Sequence, residues 1–223
     1  SRSPLRGTLD VNGSRSPGSP LPPVGAQSSV APPASARDIV VALAIVAVAL
    51  WALWPATAAF FSPDDLMILG RAAGLAEPPD TWWRVLSGRW YPAWAWGAFG
   101  PDPGGYMDVN LALHAANAAL VFALARRLAL PLASAAFAAI LFGASRLVFS
   151  TVAQVAGAGD LLACALCLAT SLLATAGNRR VSWLTAAPFA LALLAKESVL
   201  LLPLALIPLA AQLPESRPRT RTI

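Results

Sequence analysis

From residue 39 onward the chain alternates apolar stretches with short polar breaks, the stretches falling at 39–61, 109–125, 130–148, 161–177, 181–195 and 198–212. Runs of this kind predict helices in a bilayer, where ~20 apolar residues cross the hydrocarbon and the backbone must pair with itself. Several are shorter than that, so 181–195 and 198–212 read either as two segments or as one broken element. The expected fold is an all-α integral membrane protein with about six transmembrane or re-entrant helices. The first 36 residues are rich in Ser, Pro, Gly and Arg and cannot bury enough apolar surface to fold, so they read as a disordered tail. The membrane core is then 37–213, and 214–223 reads as a second tail, cut short.

Composition supports the membrane class. The chain has 223 residues, 57% of them hydrophobic, with a mean hydropathy of +0.62 and only 12% charged. A soluble domain carries about a quarter charged residues, so a water-soluble globular protein is excluded. The bilayer is therefore the expected partner, and no nucleic-acid partner is read. Of the 16 basic residues only Lys196 is lysine, and that arginine bias points to a high-GC bacterial source. With the N-terminus inside, eleven of the basic side chains fall on the cytoplasmic side, among them Arg126, Arg127, Arg179 and Arg180. Most of the acids, Asp64, Asp65, Asp160 and Glu197 included, fall outside, as the positive-inside rule favours. The reading is thus of a bacterial cytoplasmic membrane protein with its N-terminus inside.

The long connection 62–108 is then external. It carries Trp82, Trp83, Trp90, Tyr91, Trp94 and Trp96, a density expected at headgroup level, and predicts short helices lying along the membrane surface. It opens on FFSPDDLMIL, with Asp64 and Asp65 side by side at the end of the first apolar run. Ser62 can cap a helix there, with Pro63 in its first turn and both acids at the positive end of its dipole. The alternative role for either carboxylate is general base beside a membrane; a rigid helix start serves both.

In the second stretch Asn110, His114 and Asn117 recur at i, i+4 and i+7, one polar stripe on an apolar helix. Such a stripe forms either a helix–helix hydrogen-bonded seam or the wall of a wet cavity. Lys196 and Glu197 interrupt an apolar run of some thirty residues, as an ion pair, a hairpin between spans, or a site. Asp160, after Gly157 and Gly159, either caps the fourth stretch or lines an external cavity. Cys164 and Cys167 read as small buried thiols, and His114 has no second histidine with which to hold a metal.

These pieces together resemble the membrane core of polyprenyl-phosphate-sugar-dependent glycosyltransferases of the GT-C type. The likeness is nearest to the transmembrane O-mannosyltransferases that carry TPR repeats and to their bacterial relatives. The family's acidic pair after span one is matched by Asp64-Asp65, and its Arg-Pro stretch loosely by RWYPAW at 89–94. Its Tyr-x-x-x-Asn-x-x-x-His run is matched by YMDVNLALH at 106–114. GAGDLLA at 157–163 and LLAKESVLLLP at 193–203 match its two later runs. The likeness covers about 38–212. Where the family has His-Pro and a Glu near the end of span three, this chain has Ser145-Arg146 and Ser150.

The resemblance implies sugar transfer from a polyprenyl-phosphate donor to a hydroxyl on a protein or glycan. Asp64 or Asp65 would be the catalytic base, with inversion at the anomeric carbon. Arg89, Tyr91, Asn110, His114, Asp160, Lys196 and Glu197 would bind substrate, Lys196 and Arg89 facing the leaving phosphate and Arg146 more remotely. It implies no firm cofactor beyond the lipid-linked donor and leaves a divalent metal open. A non-catalytic membrane scaffold is the alternative from another class, and a small transporter ranks below it for want of internal repeats.

Overall fold

The computed structural model describes residues 35–77, 83–175 and 181–212, the side chains of 181–183 and 208–212 excepted. Residues 1–34 of the first tail, the second tail, Trp82, and Arg179 with Arg180 lie outside the described residues, while Ser35 and Ala36 already belong to the start of α1. Among those described, every regular element is helical. The order is α1 (Ala36–Leu53), α2 (Pro63–Ala72), α3 (Tyr91–Phe99), α4 (Pro103–Arg127), α5 (Leu132–Gly143), α6 (Phe149–Val152), α7 (Ala158–Ala174), α8 (Val181–Ala195) and α9 (Leu202–Gln212).

Four segments are long and apolar enough to cross a membrane: Ala36–Ala58, Pro103–Arg127, Leu132–Val152 and Val155–Ala174. They coincide with the first four apolar stretches, and they fit an integral membrane protein. The last two stretches make only short apolar helices, Leu184–Ala195 and Glu197–Ile207. The break between them is sharp. Lys196 is fully extended (φ −159°, ψ 133°), and a 3-10 turn at Glu197–Leu201 leads into α9. The third stretch, read as continuous over 130–148, ends its α-helix at Gly143 and continues as a 3-10 turn and the one-turn α6.

Helix α4 is the axis of the bundle. Tyr106, Met107, Asn110, Leu111, His114, Ala115, Asn117, Ala118, Phe122 and Ala125 are buried along it, a face too wide for a helix that meets one neighbour. It packs on α1, α5 and α7. The contact with α1 and α5 is made of small residues, Ala49, Ala115, Ala118, Ala135 and Ala139. A Cβ on Gly143 would stand 3.1 Å from the Cβ atoms of both Ala49 and Ala118, so its missing side chain is what lets the three backbones approach.

The two ends of the bundle are tied differently. At one end Asp38 closes a capping box with Ser35 and accepts from Arg126 Nε at 2.8 Å, while Arg127 donates to the carbonyl of Thr175 at 3.2 Å. At the other end gather α2, α3, the turns around residues 144–157 and the α8–α9 break. Asp64, Asp65, Asp160, Lys196 and Glu197 therefore share one end, opposite Arg126 and Arg127. Replacing Gly143 with Leu overpacks the seam and is expected to lower stability by about 1–3 kcal/mol. Thermal unfolding in detergent checks this, and an unchanged midpoint would show that the helices can separate without penalty.

Candidate functional site

The segment SPDD folds as its chemistry dictates. Ser62 Oγ accepts from the Asp65 amide at 3.3 Å, and Asp65 Oδ2 accepts from the Ser62 amide at 2.9 Å, a reciprocal cap with Pro63 in the first turn. Asp65 is fully buried. Its second oxygen accepts from the Ala156 amide at 3.0 Å, tying α2 to the turn that precedes α7. Asp64, one residue earlier, points the other way: it is exposed and has no partner among the described residues. Two identical carboxylates thus have separate duties. One is committed to the fold and one is open.

The turn that Asp65 grips is also held from α4. Asn110 donates to the carbonyls of Val152 (3.2 Å) and Gln154 (2.6 Å). Within that turn only glycine fits at position 157, where a Cβ would lie 1.8 Å from the carbonyl oxygen of Thr151. The other members of the polar stripe act alike. His114 Nε2 donates to the Gly143 carbonyl at 3.0 Å and its ring stacks on Phe142, and Asn117 donates to the Leu161 carbonyl at 2.9 Å. All three side chains are fully buried. Between the two roles open to the stripe, the geometry favours the helix–helix seam, with Asn110 and His114 directed into the bundle.

Lys196 and Glu197 do not pair with each other. Lys196 meets Asp160 at the start of α7, and both line an apolar groove of about 380 Å³ with Cys164, Cys167 and Leu202. Glu197 turns to Arg84, which grips it with two nitrogens, Nε at 2.7 Å from Oε2. That contact pins the one-turn π-helix Leu86–Trp90 against α8, aided by a bond from the Ser87 hydroxyl to the Ala195 carbonyl. Gly159 permits the approach, since a Cβ there would come within 2.9 Å of Ser87 Cβ.

Tyr91 packs against the cluster of Leu69, Ala95, Tyr106, Met107 and Val155. Its hydroxyl is buried without a partner among the described residues, and burial, with a smaller contribution from Tyr106, pushes it up to about 12. Arg89, in the π-helical turn before α3, is exposed and lines a cleft with Arg71. Arg146 is also exposed, in the turn after α5. Among the described residues no three of His, Cys, Asp and Glu cluster closely enough to hold a metal ion.

The candidate acids and Lys196 lie at one end of the bundle, as their spacing along the chain implied, while the pairings of Lys196 with Asp160 and of Glu197 with Arg84 have no signature in the sequence. Arg71 and Arg84 were not among the candidates read from the sequence. Arg84 meets Glu197 across 113 positions, a contact with no local signature, whereas Arg71 lies on the same short helix as Asp64 and was open to detection. Neither a protein-family model, nor a curated protein, nor a solved structure matches this chain.

Two outcomes follow from these contacts. Asp65→Ala strands the Ala156 amide and removes the carboxylate half of the capping box, which costs about 1–3 kcal/mol, whereas Asp64→Ala costs less than about 1 kcal/mol. Equal unfolding midpoints for the two variants would refute the division. The Arg84 hydrogen bond, followed by one from Glu197's own backbone amide, holds Glu197 at about 2, below its ordinary 4.5. A depressed carboxylate stabilises the fold fully above the ordinary value and loses that contribution as pH falls toward the lower one. The difference in midpoint between wild type and Glu197→Gln should therefore be constant from pH 7 to 5 and vanish as pH falls from about 4.5 toward 2. Both partners are about half exposed, so added salt should shrink it.

Proposed function

We propose that this chain is the membrane core of a glycosyltransferase that moves a sugar from a polyprenyl-phosphate donor to a hydroxyl on a protein or glycan. The observation that carries the reading is the separation of Asp64 from Asp65. A carboxylate held open at the N-terminus of a doubly anchored helix, at the edge of an apolar bundle, is a preorganised proton acceptor. Asp64 takes the proton of the acceptor hydroxyl as that oxygen attacks the anomeric carbon. The carbon–oxygen bond to the lipid phosphate breaks on the opposite face, the configuration inverts, and the phosphate leaves with the electron pair. Arg89 is an exposed cation available to that charge. Lys196 is held by Asp160 beside the apolar groove and reaches the phosphate only by exchanging that partner. Tyr91, Asn110, His114 and Glu197 shape the end of the bundle rather than touch substrate. On this reading the Asp64 end faces outward from a bacterial cytoplasmic membrane, with Arg126 and Arg127 inside.

A second reading, a non-catalytic membrane scaffold, is favoured by a different observation: most of the charged and polar candidates are already engaged, with backbone groups or in ion pairs. One assay separates the two. With a synthetic polyprenyl-phosphate sugar and full-length protein, Asp64→Asn should lower turnover by about 10²–10⁴-fold, the usual contribution of a general base. Wild-type turnover in that variant sinks the catalytic assignment. Absence of transfer by the wild type, across donors and acceptors, leaves the scaffold.

A further inference from the structure

Helices α2 and α3 each have one face on the bundle and one face away from it. On the first face lie Asp65 and Leu69 of α2 and Pro92 and Ala95 of α3. Away from it, Leu66 is 57% exposed and Met67 52% on α2 and Trp94 58% on α3, with Leu75 (83%) in the bend after α2 and Trp90 (57%) in the π-helical turn before α3. Leucine, methionine and tryptophan displayed together on short helices mark elements that lie in the headgroup region, where amphipathic rings meet both phases.

Between these helices opens a cleft of about 580 Å³ lined by Arg71, Gly74, Glu77, Gly88, Arg89 and Pro92 among others. Arg71 and Arg89 reach it from different elements, and neither guanidinium has a hydrogen-bond or ionic partner among the described residues, in contrast to Arg84 and Arg126. Among the described residues Glu77 is the one acid in the lining, beside the two arginines. Like charges converge where an anion separates them, and guanidinium forks suit phosphate oxygens. The lining is proportionally more polar than that of the groove beside Lys196. It can take a headgroup, and the tails of that lipid would stay in the bilayer.

We infer that Arg71 and Arg89 form a binding site for the phosphate headgroup of an anionic membrane phospholipid, seated between α2 and α3. The inference needs the membrane placement and not the transfer reaction, although Arg89 takes part in both readings. The lipid's role is to hold the two short helices, and with them Asp64, at a set depth.

The test reconstitutes full-length protein with equal amounts of phosphatidylglycerol and phosphatidylcholine, extracts it in mild detergent, and counts retained lipids by native mass spectrometry. Wild type should retain phosphatidylglycerol preferentially. Arg71→Ala and Arg89→Ala should each cut that preference about fivefold, the effect of one basic side chain at a charged surface. Arg71→Lys with Arg89→Lys should keep much of it, because the charge survives while the fork is lost. If the alanine variants do not fold, the single glutamine variants carry the same comparison. No preference in wild type, or an undiminished one in the variants, overturns the site. So does stoichiometric displacement of phosphatidylglycerol by a polyprenyl phosphate, which would assign the cleft to that lipid instead. Asp64→Asn should retain lipid as wild type does, so a failed transfer assay and a failed lipid assay remain distinguishable.

Discussion

Wherever a helix breaks inside an apolar bundle, backbone carbonyls lose their partners, and no water is at hand to replace them. This constraint shapes the centre of the protein. The chain breaks after α5, again after α6, and enters α7 through a turn, and the carbonyls near these points are met from one helix. Asn110 serves Val152 and Gln154 and His114 serves Gly143, while Asn117 adds a bond to the Leu161 carbonyl inside the first turn of α7. Two polar side chains on α4 thereby let the chain break after α5 and after α6 within the bundle, and a third ties α4 to α7. Apolar residues in their place would leave several buried acceptors unpaired, at roughly 1–3 kcal/mol each.

The same turn is where the fold hands over to the exposed end. Asn110 holds it from the inside and Asp65 from α2, so the orientation of α2 is referred back to the central helix. The freedom of Asp64 is a consequence of that anchoring. A helix start fixed by a cap and a long-range bond can present the adjacent carboxylate to its surroundings without losing its own position. The opposite end, by contrast, is closed by Asp38, Arg126 and Arg127 acting on one another and on nearby carbonyls.

The charged residues at the α8–α9 break illustrate how pairing follows geometry rather than adjacency. Lys196 is extended, so its side chain and that of Glu197 leave the backbone in different directions. One meets Asp160 on α7 and the other meets Arg84 on the short π-helical turn. The break is stapled to two elements at once, which brings the aromatic connection against the bundle.

Much of the helical content was legible in the chain itself. Long apolar stretches, the Ser62-Pro63 start and the i, i+4, i+7 stripe are local patterns, and local patterns are read by the backbone within a few residues. The shared end of the acids was legible too, because alternation of spans follows from counting them. What the chain alone left open was the role of each polar side chain. Asp65 stands at the capping-box spacing from Ser62 and Asp64 does not, but the long-range bond that buries Asp65 depends on the position of the Ala156 amide. The stripe on α4 was equally compatible with a wet cavity until the broken ends of α5 and α6 were placed beside it. The partners of Lys196, Glu197 and Arg84, and the convergence of Arg71 with Arg89, depend on contacts between distant segments. Sequence determined the helices, because hydrogen bonding and burial act along the chain. Tertiary structure decided which charges are satisfied, because that depends on what lies opposite them in space.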